Sequence, residues 1–123
     1  MNFFYCTVVA ACTFTFTSIT AEAETFTRIK SENDFRASVV DKNLISSWGV
    51  IVIHSNGTIS GKANSSNDKL TGAWKWSCKT WCRNLRIGNG DQLGSQCMKI
   101  SVSDENTLHI KGDGDPTVFV IGN

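Results

Sequence analysis

The residues able to do chemistry are few and widely spaced. The chain holds five cysteines and two histidines, His54 and His109. A nucleophilic cysteine needs a base within hydrogen-bond reach. Nothing in the spacing brings either histidine to Cys78, Cys82 or Cys97. As zinc ligands, those three cysteines with His109 follow none of the usual ligand spacings, and no metal site is expected. The chain has no G-x-S-x-G elbow, no phosphate loop and no H-E-x-x-H helix. Asp113-Gly114-Asp115 is too short for a calcium loop. No pair of carboxylates falls in an evidently apolar setting, as glycoside hydrolysis requires. The expectation is a protein with no catalytic set and no cofactor.

The cysteines instead suggest a staple. Cys6 and Cys12 lie in an N-terminal segment with no charged side chain from Met1 to Ile19. Phe3 to Thr17 is apolar but threonine-rich, and Ala21-Glu22-Ala23 has the small-x-small form of a signal-peptidase site. Residues 1–23 therefore read as a signal peptide and 24–123 as a single β-rich domain, exported to a periplasmic or extracellular space. The run is shorter than the roughly 20 apolar residues of a spanning helix, so no transmembrane segment is expected. Val9-Ala10-Ala11-Cys12 also resembles a bacterial lipobox, with Cys12 as the lipid-anchored residue. The stretch preceding it is short for that route.

Export leaves three cysteines in an oxidising setting. Asn89-Gly90 is a strong hairpin signal. Cys82 stands seven residues before Asn89 and Cys97 seven after Gly90. A turn centred there sets the two opposite each other on neighbouring strands, so Cys82–Cys97 is the expected disulfide. Strict two-residue counting makes this a hydrogen-bonded pair, an awkward place for a bridge, unless a bulge or longer loop intervenes. Cys78, in Ser77-Cys78-Lys79-Thr80, is left over, as a free thiol or as one half of an intermolecular bridge.

The elements that must hold these residues follow from punctuation. Ser31-Glu32-Asn33-Asp34 reads as an N-cap with acids in the first turn. Phe35 and Val39 give one apolar stripe, predicting a short helix over about Glu32–Val40. Afterwards short β-prone runs recur at hairpin spacing: 48–54, 58–63, 69–76, 81–87, 96–102, 107–111 and 117–121, with a lead-in at 25–30. Asn56-Gly57 is a second turn signal. Both Asn56-Gly57-Thr58 and Asn64-Ser65-Ser66 match glycosylation acceptors. Open sheets leave exposed edges, which closure removes. The fold expected is mainly β, a small antiparallel meander of about seven to eight strands closing into a barrel or sandwich, with one short N-terminal helix.

Alternation places Gly72, Trp74 and Trp76 on one face and Ala73 and Lys75 on the other. Trp48, Trp74, Trp76 and Trp81, with Met98 and Ile100, read as core, or as an aromatic platform for a ligand. Lys62 to Lys99 holds seven basic residues against Asp68 and Asp91, although the chain's net charge is only +1. Lys75, Arg86 and Lys99 would form a basic face for an acidic partner. Export and near-neutral charge argue against nucleic acid.

Asn56-Gly57-Thr58-Ile59-Ser60-Gly61, Gly72-x-Trp74-x-Trp76, Trp81-Cys82-Arg83 and Cys97 together resemble a group of small exported bacterial proteins with a G-x-W-x-W…C-R…C core. Most have no known function. Some carry a dihydrodipicolinate reductase label, which would imply a nicotinamide-binding βαβ unit with a Gly-rich loop. No such loop occurs in this sequence, and the group's pattern has no cysteine where Cys78 stands. The Gly-x-Trp pattern also resembles lipocalin-like barrels, in which such a tryptophan closes one end of a cavity. The expected function is binding of a small ligand or an unknown protein partner without catalysis. An envelope-associated accessory or inhibitor role through the basic face is the alternative, and an enzyme the third.

Overall fold

The computed structural model describes residues 24–122. The signal-peptide and Cys12 expectations lie outside those residues. Nine strands and one helix follow in order: β1 (Phe26–Ile29), α1 (Glu32–Ser38), β2 (Asn43–Ile45), β3 (Gly49–Ile53), β4 (Thr58–Ala63), β5 (Lys69–Ser77), β6 (Thr80–Ile87), β7 (Gln96–Ser103), β8 (Thr107–Lys111) and β9 (Thr117–Gly122). From β2 to β9 each strand pairs antiparallel with the next, and β9 returns to β2. The result is an eight-stranded up-and-down barrel, as the hairpin rhythm predicted. β2 was not foreseen, because three residues are too few to show alternation. It closes the sheet by pairing Leu44 with Ile51 on one side and Ile121 on the other.

β1 is the extra strand. One edge of β7 is shared lengthwise. Its first residues pair with β6 (Trp81↔Met98, Cys82↔Cys97) and its last with β1 (Ile29↔Ile100, Phe26↔Ser103).

Alternation decides what fills the barrel. Leu44, Ile51, Ile53, Ile59, Leu70, Trp74, Trp81, Met98, Ile100, Leu108, Ile110 and Phe119 are all buried. Gly72, two positions before Trp74, is bare because a Cβ there would collide with the Asn84 carbonyl and the Leu85 side chain.

One end of the barrel is plugged. Ser31 caps α1 by accepting from the Asp34 amide at 3.2 Å. Phe35, fully buried, then rests against Trp74, Trp76 and Trp81 at ring separations of 5.3, 5.1 and 6.3 Å. Arg36 lies over the Trp74 ring at 5.0 Å and donates to the Ser55 carbonyl in the β3–β4 turn. Helix propensity alone could not hold seven residues. The aromatic seat does.

The hairpin connections at the plugged end are short. At β3–β4 the Asn-Gly signal works differently from the expected central pair. Gly57 (φ 88°) is the left-handed residue that follows a turn over Ser55-Asn56. At β5–β6 both Cys78 (φ 48°) and Lys79 (φ 65°) are left-handed. That is a two-residue type I′ turn built from residues that do not favour it.

Cys82 and Cys97 form the disulfide, their Cα atoms 3.9 Å apart. This is the close spacing of a non-hydrogen-bonded pair. The register around it is the one expected, but the turn is not. The Gly90 amide donates to the Ile87 carbonyl, so the turn is centred on Gly88-Asn89, one residue early. Arg86 bridges Gln92, and Arg83 pairs with Gln96. Two extra residues on the β7 side restore the register, one at each step, as bulges do. The bridge is compatible with an oxidising compartment. Cys78 is a free, exposed cysteine.

Two stability measurements follow. A bridge of sequence separation 15 should contribute about 3 kcal/mol. Urea unfolding of C82S/C97S should fall short of the oxidised protein by about that amount, and peptide mapping without reductant should recover Cys82 joined to Cys97. Replacing Cys78-Lys79 with Asn-Gly should add about 1 kcal/mol by removing left-handed strain from two side-chain-bearing residues, read as a higher urea midpoint.

Candidate functional site

The connections at the end opposite α1 are longer: 46–48, 64–68, 88–95 and 112–116. Eight strands enclose an interior just wide enough for side chains or one small ligand. Here the plugged half is filled, and the other half holds a cavity of about 160 Å³ open at its mouth. Trp81 floors it, with Phe35 beneath. Ile51, Met98, Ile110 and Phe119 wall it, and Trp48 and Thr117 stand at the rim.

Trp48, expected as a core residue or a ligand-facing aromatic, stands at the rim of the cavity. It is 38% exposed, because it belongs to the β2–β3 connection and not to a strand interior. It packs edge-on against Phe119 at 6.0 Å, and its carbonyl accepts from the Asn64 amide. Trp74 and Trp81 are buried as expected, and Trp76 packs against the core while partly buried. Trp74 donates its indole N–H to the His54 carbonyl at 2.8 Å. Trp81, only 1% exposed, has no acceptor for its indole N–H.

Arg83 is the site residue the sequence reading passed over. It follows Trp81 by two, so both face the interior, and it lines the cavity. Its guanidinium donates to the Gln96 side chain at 3.1 Å and the Gly94 carbonyl at 3.4 Å. Burial lowers its pKa from the ordinary arginine value, yet an arginine keeps its charge in a protein. The alternation that placed Trp81 inward carried the signal. In the sequence Arg83 stands among the basic residues of 62–99 and in the Trp81-Cys82-Arg83 motif, and neither gives it an inward role.

Lys75, Arg86 and Lys99 are all exposed, as expected of an outer face. Lys75 borders a second hollow of about 330 Å³, which also touches Ala73, Trp74, Arg83, Asn84, Ser95 and both disulfide cysteines. Ala73, Lys75, Asn84 and the cysteines alternate with the core positions, so this larger hollow is a groove outside the barrel, and Arg83 borders both it and the mouth cavity. The groove is the more open of the two.

A third arrangement could not be foreseen from spacing. The β3–β4 hairpin brings Ser60 to His54, with Oγ and Nε2 2.6 Å apart, and His54 Nδ1 lies 4.0 Å from Asp41. The order of groups is that of a hydroxyl nucleophile, base and carboxylate. The last step is too long for a hydrogen bond, and Asp41 instead accepts from the Ser55 amide at 3.1 Å. Ser60 is exposed, and neither hollow touches it. A nucleophile with no cleft beside it cannot orient an acyl group. His109 is stacked on Phe26 at 3.8 Å, on the far side of β8.

Among the described residues no group of three His, Cys, Asp or Glu could hold a metal ion. No helix among them is long and apolar enough to cross a membrane. No family model matches the chain, and neither does any curated protein or solved structure.

A fluorophosphonate probe tests the surface array directly. Ser60 should remain unmodified by intact mass, and selective labelling lost in H54A would show an activated hydroxyl.

Proposed function

We propose that this protein is an exported, non-catalytic β-barrel that binds one small, largely apolar ligand in its open mouth. The observation that carries the reading is the asymmetry of the interior. The α1 end is filled by Phe35 and three tryptophans, whereas the opposite end keeps an apolar hollow of about 160 Å³. Concave, mostly apolar sites with a few polar groups are the usual form of small-molecule pockets. A hollow left in a core also forgoes packing contacts, so its occupation stabilises the fold. The disulfide agrees with a periplasmic or extracellular location.

The alternative is an accessory or inhibitor role through the basic face. It is supported by Lys75, Arg86 and Lys99, all exposed and without a carboxylate within 4.0 Å among the described residues. Contacts of that kind weaken steeply with salt, whereas apolar burial does not.

The test is a titration with benzyl alcohol followed by the indole ¹H–¹⁵N signals. The Trp48 and Trp81 signals should shift in a saturable way, while the Trp74 indole, bonded to a backbone carbonyl, should move least. Leu85 also lines the cavity, and Leu85→Trp, which adds a ring there, should abolish the shifts and leave the circular dichroism spectrum intact. Shifts spread over Lys75 and Lys99 instead would favour the outer face.

A further inference from the structure

The polar groups in the mouth cavity are unbalanced. Its lining holds one guanidinium, the indoles of Trp48 and Trp81 and the Thr117 hydroxyl, and no carboxylate. Among the described residues no acid lies within 4.0 Å of Arg83. Its two recorded bonds go to neutral acceptors, at 3.1 and 3.4 Å, and a guanidinium has five N–H donors in a planar fork. Trp81 adds a buried donor with no acceptor. Arg83 is half-buried, and the part of its charge that faces the apolar walls has no counter-charge, which is unfavourable. So is a buried donor left unmade. One kind of ligand relieves the first: a group with two acceptor oxygens and a negative charge, whereas the Trp81 donor is itself sealed from the cavity.

Size fixes the rest. A cavity of about 150 Å³ lined by aliphatic and aromatic side chains holds one benzene ring, and this one measures about 160 Å³. Ile51, Met98, Ile110 and Phe119 supply an apolar wall for such a body.

We infer that the ligand is a small monocarboxylate with an apolar body of about one ring, its carboxylate taken by the Arg83 fork and its ring set against Trp81. This rests on the ligand-binding reading above and names the ligand's chemistry. Arg83 orients the ligand as well as holding it, because a carboxylate matches the guanidinium fork in two parallel bonds.

The experiment compares three probes of nearly equal shape by calorimetry: benzoate, benzyl alcohol and benzylamine in its ammonium form. Benzoate should bind the wild-type protein at least about tenfold more tightly than benzyl alcohol, given the strength of hydrogen bonds to charged groups. Benzylammonium should bind most weakly. Arg83→Gln should bring the ratio of benzoate to benzyl alcohol affinity down to about one, and Arg83→Lys should restore part of the preference. Equal affinity for benzoate and benzyl alcohol would overturn the carboxylate inference and leave the cavity reading standing. Failure of all three probes to bind would overturn both. Should Arg83→Gln lose its folded circular dichroism spectrum, the wild-type ranking of the three probes still decides.

Discussion

Phe35 seated among Trp74, Trp76 and Trp81 is the contact on which the rest of this structure turns. A seven-residue helix has little stability of its own, and an eight-stranded barrel has two open ends. The aromatic seat resolves both problems at once. It gives the helix a partner and gives the barrel a floor. Trp81 belongs to both halves, touching the plug with one part of its ring and lining the mouth with another. The cavity is therefore defined by the plug, since material that fills one end leaves the other end to the loops.

Much of this could be read from the sequence because it depends on local counting. Trp74, Trp76 and Trp81 face inward because strands alternate. Ser31 caps α1 because its side chain reaches the Asp34 amide. The cysteine register survived a misplaced turn, since the two bulged residues on the β7 side moved the partner strand back into step. What failed had physical reasons. β2 is three residues held by pairing from both sides, and nothing local marks it. Trp48 looked like the first residue of a strand and is a rim residue tied to the 64–68 connection.

The candidate site was less legible than the fold. A cavity is what side chains fail to fill, and the sum of side-chain volumes around a closed ring is not a property of any one segment. Arg83 is instructive. Its inward position followed from the same alternation as Trp81, but a charged residue on a strand is usually read as solvent-facing. The Asp41–His54–Ser60 array was hidden for a different reason. Its members come from two connections and one strand, and only the three-residue turn at Gly57 aligns them.

The arrangement of β1, α1 and β2 bears on how the chain reaches this state. From β3 onward each pairing joins neighbours in sequence, so those hairpins need only short loop closures. Two pairings are distant: β1 with β7, and β2 with β9. Both belong to the segment that carries α1 between them. The stave that completes the ring is thus joined to its own stopper, so the segment that closes the barrel also supplies Phe35. Without that segment the remaining strands would leave two open edges, at β3 and β9, and an empty aromatic seat.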